Sequence, residues 1–294
     1  MSIKKVGVLG CGLMGSGIAQ VAAQSGYEVV VREVNQELLD KGLGRINDFL
    51  AKGVKRAKLS QSDMDETLSK ITGTIELSDL SDCDIVIEVI IEKMELKAAV
   101  YKELSEVCKP ETIFASNTSS LSITEMASHT NRPDKMVGLH FFNPVPLMKL
   151  VEVARSVATS SESFYTVFEF AKSLGKTPVK CNDTTGFIVN RLLVPYLLDS
   201  IRQLENGLAT IEDIDNAMKL GLGYPMGPFT LLDFVGIDTT LFIADIMFEQ
   251  FKEHKYAAPS LMRRMVHAGY FGKKSGKGFY DYTSDPVTVN ELGI

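Results

Sequence analysis

The sequence predicts an α/β protein, in which a mostly parallel, doubly wound sheet is followed by an all-α domain. Up to about residue 183, short β-branched runs alternate with helical stretches, and this pattern is typical of a parallel sheet with helices on both faces. A glycine-rich loop follows the first run. After residue 183 the strand patterns stop and long helical patterns take over. We therefore expect two domains, 1–183 and 184–294.

The predicted strands are apolar runs, as expected for strands that are covered on both faces. In chain order they are Lys5–Leu9, Glu28–Val31, Ile85–Ile91, Thr112–Ser116 and Met136–His140, with Thr177–Lys180 as a last edge strand. Stretches of helical periodicity, such as Val100–Val107, connect them.

The second domain is predicted to contain long helices joined by short turns. They are Phe187–Glu205, Ile211–Leu220, Thr230–Phe251 and Ser260–His267. Thr210, with Asp213 three residues on, resembles a capping box. Gly207 and Gly221 stand where helices commonly end.

Composition excludes several classes of protein. The 294 residues carry a net charge of −6, which argues against general nucleic-acid binding. No apolar run approaches the ~20 residues of a membrane span, and the first residues enter a strand without a signal or transit segment, so we expect a cytoplasmic protein. The four cysteines have neither CxxC spacing nor a histidine close in sequence, so neither a metal site nor a disulfide is indicated.

The loop after the first strand has the pattern of a dinucleotide-binding site. It reads Gly10-Cys11-Gly12-Leu13-Met14-Gly15, with a strand before it and a helix after it. Glu33 follows the second strand, about 20 residues on, where an acid binds the adenosine ribose diol. A carboxylate there repels a 2′-phosphate, so NAD is favoured over NADP, although the neighbouring Arg32 could accept that phosphate.

His140 and Glu152 form the most informative pair of residues in the chain. They lie in two apolar runs separated by Pro144 and Pro146, which interrupt regular structure. If the chain turns back there, neighbouring strands bring the carboxylate to the imidazole. A histidine held by a buried carboxylate is a typical general base, although a histidine satisfied within the core is the alternative.

Five longer motifs resemble the 3-hydroxyacyl-CoA dehydrogenases, and most of all the single-function 3-hydroxybutyryl-CoA dehydrogenases. They are SNTSSLSIT (Ser116–Thr124), GLHFFNPVPLMKLVEV (Gly138–Val153), TTGFIVNRLL (Thr184–Leu193), GYPMGPF (Gly223–Phe229) and KSGKGFYDY (Lys274–Tyr282). The resemblance implies a Rossmann-like domain, a helical domain that forms a homodimer, and NAD-dependent oxidation of 3-hydroxyacyl-CoA in fatty acid or butanoate metabolism.

The same resemblance implies roles for individual residues. His140 matches the catalytic base, Glu152 its partner, and Ser119 and Asn190 the residues that bind the reacting part of the substrate. The residues implied in cofactor binding are Gly10, Gly12, Leu13, Met14, Gly15, Glu33, Glu92, Lys97 and Asn117.

Lys52 and Arg56 lie in a basic stretch after the second strand, four residues apart. Such a stretch is often a solvated helix end, but the resemblance implies that this segment meets the phosphates of CoA. Two other functions stay open at this point. One is a hydroxyacid dehydrogenase of the 6-phosphogluconate type, which would use a lysine and leave His140 and Glu152 without a role. The other is a non-enzymatic, crystallin-like relative.

Overall fold

The computed structural model describes residues 3–293. The chain divides into two compact units, one ending at Phe187 and the next beginning at Ile188. The sequence predicts a domain boundary slightly earlier, between Asp183 and Thr184. Both positions lie in the segment between the last strand of the large sheet, which ends at Asn182, and the next helix.

The first unit is built on an eight-stranded sheet. Its strands are β1 (Lys5–Leu9), β2 (Glu28–Arg32), β3 (Ile71–Thr74), β4 (Ile85–Glu88), β5 (Ile113–Ser116), β6 (Met136–Phe141), β7 (Leu150–Arg155) and β8 (Thr177–Asn182). They lie in the order β3-β2-β1-β4-β5-β6-β7-β8, and all neighbouring pairs except β6 and β7 are parallel. The predicted mostly parallel sheet is confirmed, and its strand order reverses between β1 and β4, where open α/β sheets bind ligands.

Both faces of the sheet are covered. The helices of this unit are α1 (Leu13–Gln24), α2 (Gln36–Lys55), α3 (Gln61–Ser69), α4 (Met94–Val107), α5 (Ile123–Ser128) and α6 (Ser161–Ser173). Strand β4 shows why its sequence is a continuous apolar run. Ile85 and Ile87 join the buried cluster on one face, and Val86 joins the cluster on the other face.

One predicted strand is too long, and one strand of the structure was not predicted. The strand predicted over Ile85–Ile91 ends at Glu88, because the Glu88 carboxylate accepts a hydrogen bond from the Ile90 N–H (2.8 Å) and the chain leaves the sheet there. Strand β3 was not predicted, because its sequence, ITGT, has no apolar alternation. It is an edge strand that pairs only with β2 in the described sheet.

The second unit is helical, as predicted, and has its own buried core. Its helices are α7 (Val189–Glu205), α8 (Ile211–Leu222), α9 (Pro228–Val235), α10 (Ile237–Phe251) and α11 (Ser260–His267). Two short strands, β9 (Tyr280–Asp281) and β10 (Thr288–Val289), pair near the end of the chain.

The single helix predicted over Thr230–Phe251 is two helices, because Gly236 takes a φ of 106° that interrupts the helical hydrogen bonding. Gly221 does not end helix α8 as predicted. The helix continues to Leu222, and Gly223 is its left-handed cap, with a φ of 69°. The predicted capping contact is present, since the Thr210 hydroxyl accepts a hydrogen bond from the Asp213 N–H at 3.1 Å.

Two buried aspartates fasten the last strands to the helices of this unit. Asp215 accepts hydrogen bonds from the Phe229 N–H (2.8 Å) and from the Tyr280 hydroxyl (3.0 Å). Asp233 accepts hydrogen bonds from the N–H groups of Phe279 and Tyr280, both at 2.9 Å, and from the Tyr282 hydroxyl at 3.1 Å. Burial outweighs these hydrogen bonds and raises the pKa of Asp233 to about 6.

Three further findings concern the part of the chain that the structure describes. None of its helices has both the length and the apolar character needed to cross a membrane. Within residues 3–293 no cluster of His, Cys, Asp and Glu could hold a metal ion. All four cysteines are unpaired thiols, and burial raises the pKa of Cys11 and Cys83 to about 12.

Candidate active site

The glycine loop joins β1 to α1 in a conformation that needs glycine. Gly10 has a φ of 103°, and a Cβ there would lie 2.8 Å from the carbonyl oxygen of Val89. A Cβ on Gly15 would lie 1.9 Å from the carbonyl oxygen of Gly10, so the helix can pack this closely only with glycine. A Cβ on Gly12 would meet nothing within 4 Å. Gly12 therefore keeps open space for a ligand at the start of α1.

The N-terminus of α1 is suited to binding a pyrophosphate. Gly12 is its N-cap residue and provides no side-chain cap, and Leu13 beside it is exposed. Uncapped N–H groups and the positive end of the helix dipole favour a phosphate at such a position. These features of the loop fit the dinucleotide that the sequence predicts.

Glu33 lies directly after β2 and faces this loop. One carboxylate oxygen accepts a hydrogen bond from the Cys11 N–H (2.7 Å) and the other from the Val34 N–H (3.0 Å). A carboxylate has about four acceptor positions, so both oxygens can still accept hydrogen bonds from a ribose diol. Arg32 instead donates to the carbonyl oxygen of Ile75 (3.3 Å), and Arg45 donates to the carbonyl oxygen of Cys11 (3.2 Å).

His140 and Glu152 meet across the antiparallel pair of β6 and β7, where the register sets them directly opposite each other. His140 Nδ1 lies 2.7 Å from a Glu152 carboxylate oxygen. Glu152 is completely buried and His140 is 7% exposed. The imidazole also packs against Phe142 and Phe187, with ring centroids 4.6 and 5.7 Å away. The predicted pairing is therefore present in the structure.

This arrangement fixes the chemistry that His140 can perform. An ionised Glu152 accepts a hydrogen bond from the Nδ1–H, which leaves Nε2 as the nitrogen that can accept a proton. Once Nε2 is protonated, the nearby carboxylate stabilises the imidazolium. The pair can therefore act as a general base in one direction and as a general acid in the other.

The segment Asn117–Ser120 follows β5 and lies beside β6. Its position relative to His140 is set by Asn117, whose side-chain oxygen accepts a hydrogen bond from the N–H of Phe141, the residue after His140 (2.9 Å). Ser119 is half-buried, and its N–H donates to a carboxylate oxygen of Glu92 (3.1 Å). Two predicted site residues, Asn117 and Ser119, thus lie at the carboxyl edge of the sheet that also carries His140 and the glycine loop.

Glu92 and Lys97 form part of a buried polar cluster below this segment. Lys97 is 1% exposed, and its Nζ lies 3.3 Å from Glu92 and 2.5 Å from Glu88. Burial disfavours the Glu92 carboxylate, but the charge of Lys97 and hydrogen bonds from Thr118 and Ser119 outweigh that effect and lower its pKa. Sequence reasoning missed Glu88 in this role. The available signal was a carboxylate at the end of the apolar run IVIE.

The other predicted site residues lie elsewhere. Asn190 belongs to the second unit, where it is half-buried in the first turn of α7. Lys52 is exposed on the last turn of α2 and borders a cavity of about 220 Å³ between α1, α2 and residues 143–146. Arg56 is the C-cap residue of α2, so it lies just beyond the helix on which it was expected to share a face with Lys52.

Taken together, the sheet, the glycine loop with its acidic partner and the buried His–Glu pair define an NAD-dependent dehydrogenase. Comparison with known families agrees. Residues 5–184 match the NAD binding domain of 3-hydroxyacyl-CoA dehydrogenase, and residues 186–282 match its C-terminal domain. The chain belongs to the 3-hydroxyacyl-CoA dehydrogenase family. The predicted cofactor, NAD, and the predicted class of enzyme are thereby confirmed.

Individual relatives resemble the chain over nearly its whole length. A probable 3-hydroxybutyryl-CoA dehydrogenase of Deinococcus radiodurans is 50% identical over 279 residues, which cover 95% of this chain and 100% of the relative. The crystal structure of Mycobacterium tuberculosis FadB2 has a TM-score of 0.94 at 48% identity, covering 96% of this chain and 100% of that one. The (S)-3-hydroxybutyryl-CoA dehydrogenase PaaH1 of Ralstonia eutropha has a TM-score of 0.93 at 41% identity, with the same coverage.

Proposed function

We propose that this protein catalyses the NAD-dependent oxidation of a 3-hydroxyacyl-CoA to the 3-ketoacyl-CoA, and the reverse reduction. The observation that carries the proposal is the His140–Glu152 pair at the sheet edge that also carries the glycine loop. Oxidation of an alcohol needs a base for the hydroxyl proton and a hydride acceptor that faces the same carbon. When bound, NAD supplies the hydride acceptor.

His140 is the base in this mechanism. Its Nε2 takes the proton of the 3-hydroxyl group as the carbonyl forms, and the buried Glu152 carboxylate stabilises the resulting imidazolium. In the reverse direction the imidazolium returns the proton to the oxygen of the new alcohol. Because Phe142 and Phe187 pack against the imidazole, the proton transfer takes place away from bulk water.

Ser119 and Asn190 hold the reacting oxygen of the substrate. The Ser119 N–H donates a hydrogen bond to Glu92, which fixes the backbone, and the Ser119 hydroxyl can both donate and accept a hydrogen bond. The amide of Asn190 can both donate and accept. We expect their alanine variants to lose kcat/KM for acyl-CoA while the affinity for NADH changes little.

The cofactor is held by the glycine loop and by Glu33. The N–H groups at the start of α1, from Gly12 to Gly15, bind the pyrophosphate, and Glu33 accepts hydrogen bonds from the adenosine ribose. Arg32 is engaged with Ile75, which supports NAD over NADP. Glu92, Lys97 and Asn117 complete the nicotinamide end of the site.

Lys52 and Arg56 bind the phosphates of CoA. The protein is acidic overall, so a local pair of exposed cations at the end of α2 is a favourable position for a 3′-phosphate or a pyrophosphate. The cavity beside Lys52 is also bordered by Arg45, a second cation, and by the carboxylate of Asp48. Several relatives are named for 3-hydroxybutyryl-CoA, which supports a short-chain substrate and a role in fatty acid or butanoate metabolism.

The second unit forms a homodimer. Several large apolar side chains of its helices are exposed, among them Leu192 (72%), Phe234 (59%) and Phe242 (51%). A two-fold pairing would cover such a surface. Light scattering at micromolar concentration measures the mass, and a value near that of one 32.3 kDa chain contradicts the dimer.

The protein acts in the cytoplasm. Its four cysteines are unpaired thiols, which suits a reducing compartment. Fluorescence of a tagged chain in its own cells measures the location, and a signal confined to the cell envelope contradicts it.

The decisive experiment follows the absorbance of NADH with acetoacetyl-CoA as substrate. We expect rapid oxidation of NADH by the wild-type chain and no reaction with 6-phosphogluconate. His140→Ala should lower kcat by ~10²–10⁴ while NADH still binds. His129→Ala, at an exposed histidine outside the site, is the matched control. An inactive wild-type chain, or a His140→Ala variant with near-normal turnover, would refute the proposal.

A further inference from the structure

The carboxylate of Glu88 is the centre of a buried hydrogen-bond network at the carboxyl end of β4. Glu88 is completely buried. One oxygen accepts hydrogen bonds from the Ile90 N–H (2.8 Å) and from Lys97 Nζ (2.5 Å). The other accepts from the Ser116 hydroxyl (2.7 Å) and, at 3.4 Å, from the Tyr101 hydroxyl. Nothing in the mechanism above uses this group.

A first route leads from Glu88 to the Ser119 segment through Ser116. The register of the sheet sets Ser116 opposite Glu88 on the neighbouring strand β5. While donating to Glu88, the Ser116 hydroxyl accepts a hydrogen bond from the Thr118 N–H (3.2 Å). The backbone carbonyl of Glu88 also accepts from the Asn117 N–H (2.9 Å). Glu88 therefore sets how the chain leaves β5.

A second route reaches the same segment through Lys97. The Lys97 ammonium lies between the carboxylates of Glu88 and Glu92. Glu92 then accepts hydrogen bonds from the Ser119 N–H and the Ser120 hydroxyl, both at 3.1 Å. Two connected chains of hydrogen bonds, both beginning at Glu88, thus fix the backbone on either side of the Ser119 side chain.

The charges explain why a carboxylate is needed at position 88. All four groups that face its oxygens are donors, and a carboxylate is an acceptor at every position. Lys97 is the only cation that the described contacts place between the carboxylates of Glu88 and Glu92. A glutamine at position 88 would turn an N–H₂ group toward one of these donors and leave it without an acceptor.

We propose that Glu88 and Ser116 are positioning residues, which fix the segment that carries Ser119 so that its hydroxyl meets the reacting oxygen of the substrate. The inference rests on the proposed role of Ser119. Displacing a positioned group by about 1 Å can cost about 10² in rate, so the network acts on turnover through Ser119.

A double-mutant cycle between Glu88 and Ser119 tests this inference. In the wild-type background, Glu88→Gln should lower kcat with acetoacetyl-CoA by roughly 10- to 100-fold. In a Ser119→Ala background the same change should lower kcat by less than about threefold, because the hydroxyl that it positions is already absent. A merely structural role would give equal losses in both backgrounds. Glu103→Gln, at an exposed site on α4, is the matched control and should leave kcat unchanged.

Ser116→Ala keeps the test valid if Glu88→Gln does not fold, as judged by circular dichroism and thermal unfolding. This substitution removes one buried hydroxyl. Like Glu88→Gln, it should lower kcat in the wild-type background and lower it much less in the Ser119→Ala background. Equal losses in both backgrounds for the folded variant overturn the inference. A Ser119→Ala enzyme with wild-type kcat also overturns the inference. Neither result contradicts the proposed dehydrogenase function. The proposed function is refuted by different results, namely a wild-type chain without activity toward acetoacetyl-CoA or a His140→Ala variant with near-normal turnover.

Discussion

Replacing Glu152 with glutamine tests the His–Glu pair with the least change in shape. The side chain is completely buried, and glutamine has nearly the same size but no charge. If the amide turns its N–H₂ toward Nδ1, the imidazole proton must move to Nε2, and Nε2 can then no longer accept a proton. If the amide turns its oxygen toward Nδ1, the tautomer is kept but the imidazolium loses its counter-charge. Both orientations slow proton transfer.

The structure sets the size of this effect. Nδ1 and the carboxylate oxygen are 2.7 Å apart, so the centres of the two charges lie about 4 Å apart. At that distance, an effective dielectric constant of about 20 gives an attraction of about 4 kcal/mol between imidazolium and carboxylate. About 1.4 kcal/mol in the barrier corresponds to tenfold in rate, so the lost charge alone lowers kcat by about 10³. The low exposure of both residues keeps screening by salt small.

The assay is the steady-state oxidation of NADH by acetoacetyl-CoA, with kcat and KM measured separately. Glu152→Gln should reduce kcat by roughly 10²–10⁴ and leave NADH binding, measured by fluorescence, close to that of the wild type. Glu162→Gln, at an exposed site on α6, should behave as the wild type. A folded Glu152→Gln enzyme whose kcat lies within threefold of the wild-type value would refute the reasoning.

Three further predictions follow from other parts of the structure. Because Glu33 faces the ribose position, kcat/KM should be higher with NADH than with NADPH, and a preference for NADPH would contradict that placement. Replacing Lys52 and Arg56 together by glutamate should raise KM for acetoacetyl-CoA but hardly change it for a pantetheine thioester without the nucleotide; equal damage to both substrates points away from phosphate binding. Burial raises the pKa of Asp233 from 3.8 to about 6 in the folded chain. Between pH 3.8 and about 6, the folded chain therefore binds more protons than the unfolded chain. The contribution of Asp233 to stability falls as the pH rises through this range. Lowering the pH from about 7 to about 5 should therefore raise the melting temperature of the wild type relative to Asp233→Asn. If the difference in melting temperature between the wild type and Asp233→Asn does not change with pH, the three hydrogen bonds to Asp233 offset the effect of burial on its pKa.

The sequence was sufficient for those features that depend on local pattern. Buried parallel strands need continuous apolar runs, and the loop around Gly10 needs glycine for steric reasons. Both features can therefore be recognised from residues that are adjacent in sequence. The pairing of His140 with Glu152 could be predicted because the two prolines between them allow the chain to turn back, and the β6–β7 register then sets the contact.

Features that depend on contacts distant in sequence could not be predicted this way. The break at Gly236 is an example, because a single glycine within an apolar helical pattern gives no sign of a φ of 106°. The network of Glu88 is another, since Ser116 lies 28 residues away and becomes its partner only when β5 pairs with β4. The residues of the second unit that bind Asp233 lie more than 40 positions further on, with Phe279 separated from it by 46.

The fastening of the chain end by Asp215 and Asp233 has a consequence for synthesis. Helices α8 and α9 leave the ribosome well before Phe279 and Tyr280, yet the two buried carboxylates accept hydrogen bonds from these later residues. Phe279 itself is completely buried and packs on Phe229, with ring centroids 4.6 Å apart. A nascent chain that stops short of these residues would expose an apolar surface and leave Asp233 without these hydrogen bonds, while Asp215 would keep the one from the Phe229 N–H. The second unit therefore closes its core only after Phe279 and Tyr280 have been synthesised, when the eight strands of the first unit are already complete.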